Sequence, residues 1–183
     1  SRPAQNMART IMHNSLVSLT QDDTLAIIRL NRPETRNALS HAMVKELGAT
    51  LKTCESKLIR AVYITGNGPA FCSGADVKEF AEQLEQGGPA AVATHIESLA
   101  TQLHEDVILQ IRSLDKPVIA GVNGVAAGAG FSLAIACDIR LASNNARFLM
   151  AYANIGATAD GGSSYFLPRL VGIGKTLELY TAS

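Results

Sequence analysis

Lys116–Cys137 reads KPVIAGVNGVAAGAGFSLAIAC, and its pattern decides the architecture. Pro117–Val122 is apolar and β-branched behind an opening proline, which predicts a buried strand. Gly121, Gly124, Gly128 and Gly130, set among alanines, predict a glycine-rich turn. From about Ala129 to Cys137, apolar residues fall on nearly every side, which predicts a helix buried all round. The first N–H groups of a helix have no intrahelical partner and are positively polarised. With only glycine and alanine beside them, an atom gaining negative charge can reach them. Tight packing of strand against helix explains the same small residues, so both readings stand at this point.

Outward from this stretch, the chain has 183 residues, 47% of them apolar, which suits one domain with a sizeable core. Sixteen Lys and Arg balance sixteen Asp and Glu, so no electrostatic field argues for nucleic acid as a partner. No uninterrupted apolar run reaches about 18 residues, so no membrane span is expected. Cys54, Cys72 and Cys137 lack metal-ligand spacing, and their odd number fits a reducing compartment. A cytoplasmic location and no metal are therefore expected. The opening SRPAQNMARTIMHN lacks the apolar centre of a signal peptide. Residues 1–14 read as an extension or a cloning remnant ahead of a start at Met7.

Ser15 to Thr20 and Thr24 to Leu30 flank Gln21-Asp22-Asp23, which predicts a hairpin. Pro33 ends the second strand. Ser40 is placed to cap a helix running to about Ser56, with Met43, Val44, Leu47 and Leu51 on one face. Arg60 to Thr65 predicts another core strand. Gly66 to Pro69 punctuates a loop, and Gly74-Ala75-Asp76 again sets small residues where backbone can face a ligand. A helix over Val77 to Gln86 is expected to break at Gly87-Gly88-Pro89, in a region expected to be mobile. Ala90 to Leu114 is then amphipathic, with Val92, Ile96, Leu99, Leu103, Val107 and Ile111 in step. His95 and His104 lie in it, and lone helical histidines read as surface or core residues. Asp138 to Ser143 and Arg147 to Met150 predict strands. Residues 151–163 read as irregular, before short helices over Gly161 to Leu170 and Gly172 to Tyr180. Alternating strands and helices argue for an α/β fold with a largely parallel sheet.

A site can be assembled from these parts. Backbone N–H groups near Ala75 and Ala129 aimed at one oxygen would polarise a carbonyl and stabilise an enolate. Asp160, among small residues, could move a proton at the neighbouring carbon. An aspartate before Gly161 could equally cap the next helix.

The runs NRPETRNALS, AFCSGADVKEF, KPVIAGVNGVAAGAG with CDIRLAS, and FLPRLVG resemble the crotonase superfamily of enoyl-CoA hydratases and isomerases, over about residues 15–183. The resemblance implies a spiral of ββα units, a trimer or hexamer, and an acyl-CoA substrate in which coenzyme A is part of the substrate, so that no separate cofactor is expected. It places the two oxyanion N–H groups on Ala75 and Ala129. It places coenzyme A contacts on Arg36 and on Ala75, Asp76, Val77 and Lys78, with Arg36 and Lys78 toward the phosphates. The two glutamates that hydratases of the family use fall on Ser132 and Tyr152, neither of which is a carboxylate. Those two side chains are expected to border the substrate. Asp160 matches an acidic position of other branches, and NGVAAGAG, FLMAY and FLPRLVG look closest to the isomerase of ring-epoxide phenylacetyl-CoA. An isomerase with one proton-moving aspartate is therefore expected. A broad-sense hydratase, a non-catalytic acyl-CoA-binding subunit, and a 4-chlorobenzoyl-CoA-type dehalogenase with His104 near its base position are the alternatives. Family members continue through C-terminal helices that build the trimer, a region the resemblance leaves outside the core domain 15–183.

Overall fold

The computed structural model describes residues 9–13 and 16–181. The hairpin forms as expected, from β2 (Val17–Asp22) and β3 (Leu25–Leu30), paired antiparallel. Its strands alternate buried and half-buried residues, as one covered face requires. β1 (Arg9–His13) pairs antiparallel with β2, so part of the expected N-terminal extension is a strand. The expected start at Met7, and Ser15 at the head of the hairpin, lie outside the described residues.

α1 (His41–Thr53) begins where expected, with the N–H of Met43 donating to the Ser40 hydroxyl at 3.2 Å. β4 (Ala61–Gly66) follows, then a short β5 (Ala70–Cys72) inside the stretch read as loop. α2 (Val77–Leu103) runs through Gly87-Gly88-Pro89 and bends there: Gly88 sits at φ 70°, ψ −167°. The expected break is thus a kink between two halves. One π-type turn over His104–Ile108 joins it to α3 (Leu109–Ser113).

The central stretch gives β6 (Val118–Val122), β7 (Val125–Ala127) and α4 (Ala129–Ala136). β7 lies within the expected turn. All eight residues of α4 are buried. β8 (Ile139–Ala142), β9 (Arg147–Leu149) and α5 (Ser163–Thr181) close the described chain, with the expected interruption of α5 at Gly172.

Two sheets result. One has the order β1-β2-β3-β4-β6-β8 and is parallel from β3 onward; the other is β5-β7-β9, all parallel. Each coil of chain therefore lays one strand on each sheet and then a helix: β4-β5-α2, β6-β7-α4, β8-β9-α5. α4 packs against β5, β6, β7 and α5 at the centre. Two side-chain amides, the buried Asn37 and the half-buried Asn123, tie the sheets at the crossovers. Asn37 donates to the carbonyls of Asn67 and Ala70 and accepts from the N–H of Arg32 at 2.8–2.9 Å. Asn123 accepts from the N–H of Gly66 and donates to the carbonyls of Gly68 and Ala70.

The three cysteines are free and buried. Burial pushes the Cys54 thiol up to about 11, against the pull of Lys116, and the Cys72 and Cys137 thiols to about 12. The folded chain thus keeps protons that the unfolded chain gives up near pH 9. That share of stability is complete below pH 9 and is lost as pH rises through 11 to 12. A thiol-reactive dye at pH 8 should label none of the three in minutes, and all three after unfolding in urea. Fast labelling of the native chain would contradict this burial.

Candidate active site

Ala75 follows Gly74, whose φ of 99° turns the chain toward α4. A β-carbon on Gly74 would lie 2.9 Å from the carbonyl oxygen of Ala127 and 3.6 Å from the nitrogen of Ala129. Glycine therefore lets this loop lie against the start of α4. Leu39 accepts from the N–H of Asp76 and donates to the carbonyl of Gly74. The N–H of Ala75 between them must then point the other way, as in any extended pairing. Ala129 is the first residue of α4, where a helix leaves its N–H without an intrahelical acceptor. Gly130 presses on the carbonyl of Cys72, where a β-carbon would collide. This contact fixes α4 against β5.

Ala75, Ala129, Tyr152 and Asp160 line one cavity of about 660 Å³. Val77, Phe80, Val92 and Ile96 of α2 form one wall, and residues 154–158 form another. A recess of about 30 Å³ shares Ala75, Ala129 and Asp160 and adds Leu39, Val44, Leu99 and Leu103. Asp160 is the single carboxylate among the described residues bordering either space.

The Asp160 carboxylate accepts from the Tyr152 hydroxyl at 2.5 Å. Its main-chain oxygen, not its carboxylate, accepts from the N–H and hydroxyl of Ser163 at 3.0 and 2.9 Å. The capping alternative for its side chain is thus not what the structure shows. Tyr152 is buried, its hydroxyl is 2.7 Å from that of Ser132, and burial followed by the charge of Asp160 drives its pKa far above the ordinary phenol value. It therefore remains a proton donor to Asp160 throughout the neutral range.

One expected substrate contact, Ser132, is corrected, and Asp76 and Arg36 are placed as follows. Ser132 is fully buried behind Tyr152 and does not border the cavity; its hydroxyl bonds Gly128 and Tyr152 instead. The Asp76 carboxylate is buried, paired with Arg32 at 2.9 Å, and caps α2 by accepting from the N–H of Lys78 at 3.2 Å. It can meet a ligand only through its backbone. Arg36 is exposed and off the cavity wall, while its carbonyl accepts from the N–H of Ser73 at 3.0 Å. Lys78 is exposed at the first turn of α2, and Val77 borders the cavity. His104 is turned to the carbonyl of Ala100 at 2.8 Å and does not border the cavity. Arg32 and Asn37 went unassigned in the sequence, although both stand in NRPETRN. They hold the Gly74–Asp76 loop in place through Asp76, the carbonyl of Ala38 and β5.

A two-sheet α/β coil whose central buried helix opens onto a cavity beside a second backbone amide defines the crotonase fold. Residues 20–182 match the family model described as enoyl-CoA hydratase/isomerase, and the chain belongs to that family. It is 40% identical over 155 residues to a Rhodobacter capsulatus protein named "Probable enoyl-CoA hydratase", covering 85% of this chain and 56% of that one. It is 33% identical over 163 residues to 4-chlorobenzoyl coenzyme A dehalogenase-1 of Arthrobacter sp, covering 88% and 57%. A Thermobifida fusca YX structure solved in complex with acetoacetyl-CoA superposes with a TM-score of 0.79 at 34% identity, over 92% of this chain and 66% of that one. The chain spans little more than half the length of these two curated relatives. Among the described residues, no helix is long and apolar enough to cross a membrane.

Proposed function

We propose that the chain is the core of an acyl-CoA isomerase. The N–H groups of Ala75 and Ala129 hold the thioester oxygen and stabilise the enolate. Asp160 removes an α or γ proton and returns it to the other end of the allylic system. One base serves both transfers when both carbons face it. The observation that carries this reading is the single carboxylate in a cavity that exposes both alanines. Arg36 and Lys78 are the cations available for the coenzyme A phosphates, and Val77 and the backbone of Asp76 for its pantetheine arm.

Hydration is the second reading, supported by the name of the Rhodobacter relative. Asp160 and solvent would then replace the glutamate pair. Turnover of an enoyl-CoA panel in oxygen-18 water separates the two. Isomerisation moves the double bond and incorporates no label; a labelled hydroxyacyl-CoA would overturn it in favour of hydration. Halide release from a haloaroyl-CoA would instead favour dehalogenation. Thioester binding without any product would favour a binding subunit.

Tyr152→Phe removes one charge-assisted hydrogen bond that orients Asp160. Such bonds contribute roughly 1.5–3 kcal/mol, so kcat should fall about 10- to 100-fold with KM nearly unchanged. An unaltered kcat would place the orientation of Asp160 elsewhere. Self-association into trimers is part of the proposal, supported by exposed Leu170, Val171, Ile173 and Leu177 along α5. A reducing, cytoplasmic setting is supported by the free thiols.

A further inference from the structure

We propose that His41, Glu79 and His95 form a binding site for a divalent transition-metal ion of the zinc class, beside the acyl cavity and independent of the chemistry within it. No spacing in the sequence pairs these residues. His41 opens α1, Glu79 lies in the first turn of α2, and His95 lies beyond the bend at Gly88. On an unbroken helix, positions 79 and 95 would stand about 24 Å apart. The bend instead brings His95 Nε2 to 3.2 Å from Glu79 Oε2, while His41 Nδ1 lies 3.7 Å from the same oxygen.

One ligand atom from each of the three lies within 4.8 Å of the others. Ligand atoms around a tetrahedral zinc are about 3.3 Å apart, given bonds of about 2.0–2.1 Å. The cluster is therefore close to metal-binding size without backbone movement. Two imidazoles and a carboxylate are a donor set that zinc accepts, and a fourth position for water leaves an open site. The Ser98 hydroxyl is 3.2 Å from His41 Nε2. It fixes the ring through the nitrogen that would not face the ion, as outer partners of metal-bound histidines do. Phe80 packs edge-on to His95 with centroids 5.7 Å apart. Glu79 Oε2 and His95 Nε2 are both shut off from solvent and face each other at 3.2 Å, with His41 Nδ1 3.7 Å from the same oxygen. An ion held by all three would replace these pairings with bonds of about 2.0–2.1 Å. The ion would join α1 to both halves of α2, and so would hold the wall that Phe80, Val92 and Ile96 present to the acyl cavity.

The test is titration of the chelator-stripped chain with zinc chloride, followed by calorimetry and by competition with a zinc-responsive dye. One equivalent should bind with a micromolar or lower Kd. His41→Gln, Glu79→Gln and His95→Gln should each weaken binding at least 10-fold, and His104→Gln should leave it unchanged. Cobalt should give the intense visible bands of a four-coordinate site in the unsubstituted chain, a reading that needs no variant to fold. No stoichiometric binding, equal affinity in all variants, or a weak six-coordinate cobalt spectrum would each overturn the proposal.

Discussion

Asp160→Asn is expected to lower enoyl-CoA turnover by about 10³-fold while acyl-CoA affinity stays within a few-fold. General-base transfer contributes roughly 10²- to 10⁴-fold, and here one carboxylate serves the whole cavity. The amide keeps the size of the side chain, and its oxygen can still accept from Tyr152, so the loop keeps its anchor. What it loses is the ability to take a proton. Steady-state rates, with calorimetry on a non-reactive thioether analogue, separate the two effects. Turnover retained within tenfold would move the base away from residue 160, and with it the isomerase reading.

Ala129→Pro should cost about 10²- to 10³-fold in kcat, the usual effect of removing one oxyanion donor. Proline is tolerated at the first position of a helix because the N–H it lacks has no intrahelical acceptor, and Ala129 holds that position in α4. The substitution therefore removes the proposed donor while the helix persists, which far-UV circular dichroism can check. Ala129→Gly keeps the N–H and should stay within about threefold. If proline and glycine gave equal rates, the thioester oxygen would not be held there.

The parts of the fold that could be read in advance are those with continuous or alternating apolar patterns. The hairpin β2–β3, the strands β4 and β6, and the fully buried α4 belong here, because burial on one face or on all faces leaves a period in the residues. β5 and β7 left no such mark. Each has three residues inside glycine-rich turns, and each exists through pairing with a strand distant in sequence, such as Ala70 with Val125. The two alanines and Asp160 were found through small residues and family resemblance, and the fold brings them to one cavity. The Asp160–Tyr152 bond was not legible. It depends on a loop that turns at Ala151, a non-glycine residue at φ 43° with no preference for that conformation. Nor was the Arg32–Asp76 pair legible, since it joins two loops that only the tertiary fold brings together. Ser132 illustrates the opposite error: alignment to a catalytic position said nothing of whether its side chain reaches the cavity.

The coil has a consequence for how the molecule is made. Leu25 pairs with Ala61, Val62 with Val118, and Ile119 with Ile139, so each new parallel strand docks on one already laid. Loop closure is unfavourable until its strand finds a partner. Translation delivers those partners in order, so each parallel strand is synthesised after the edge strand with which it pairs.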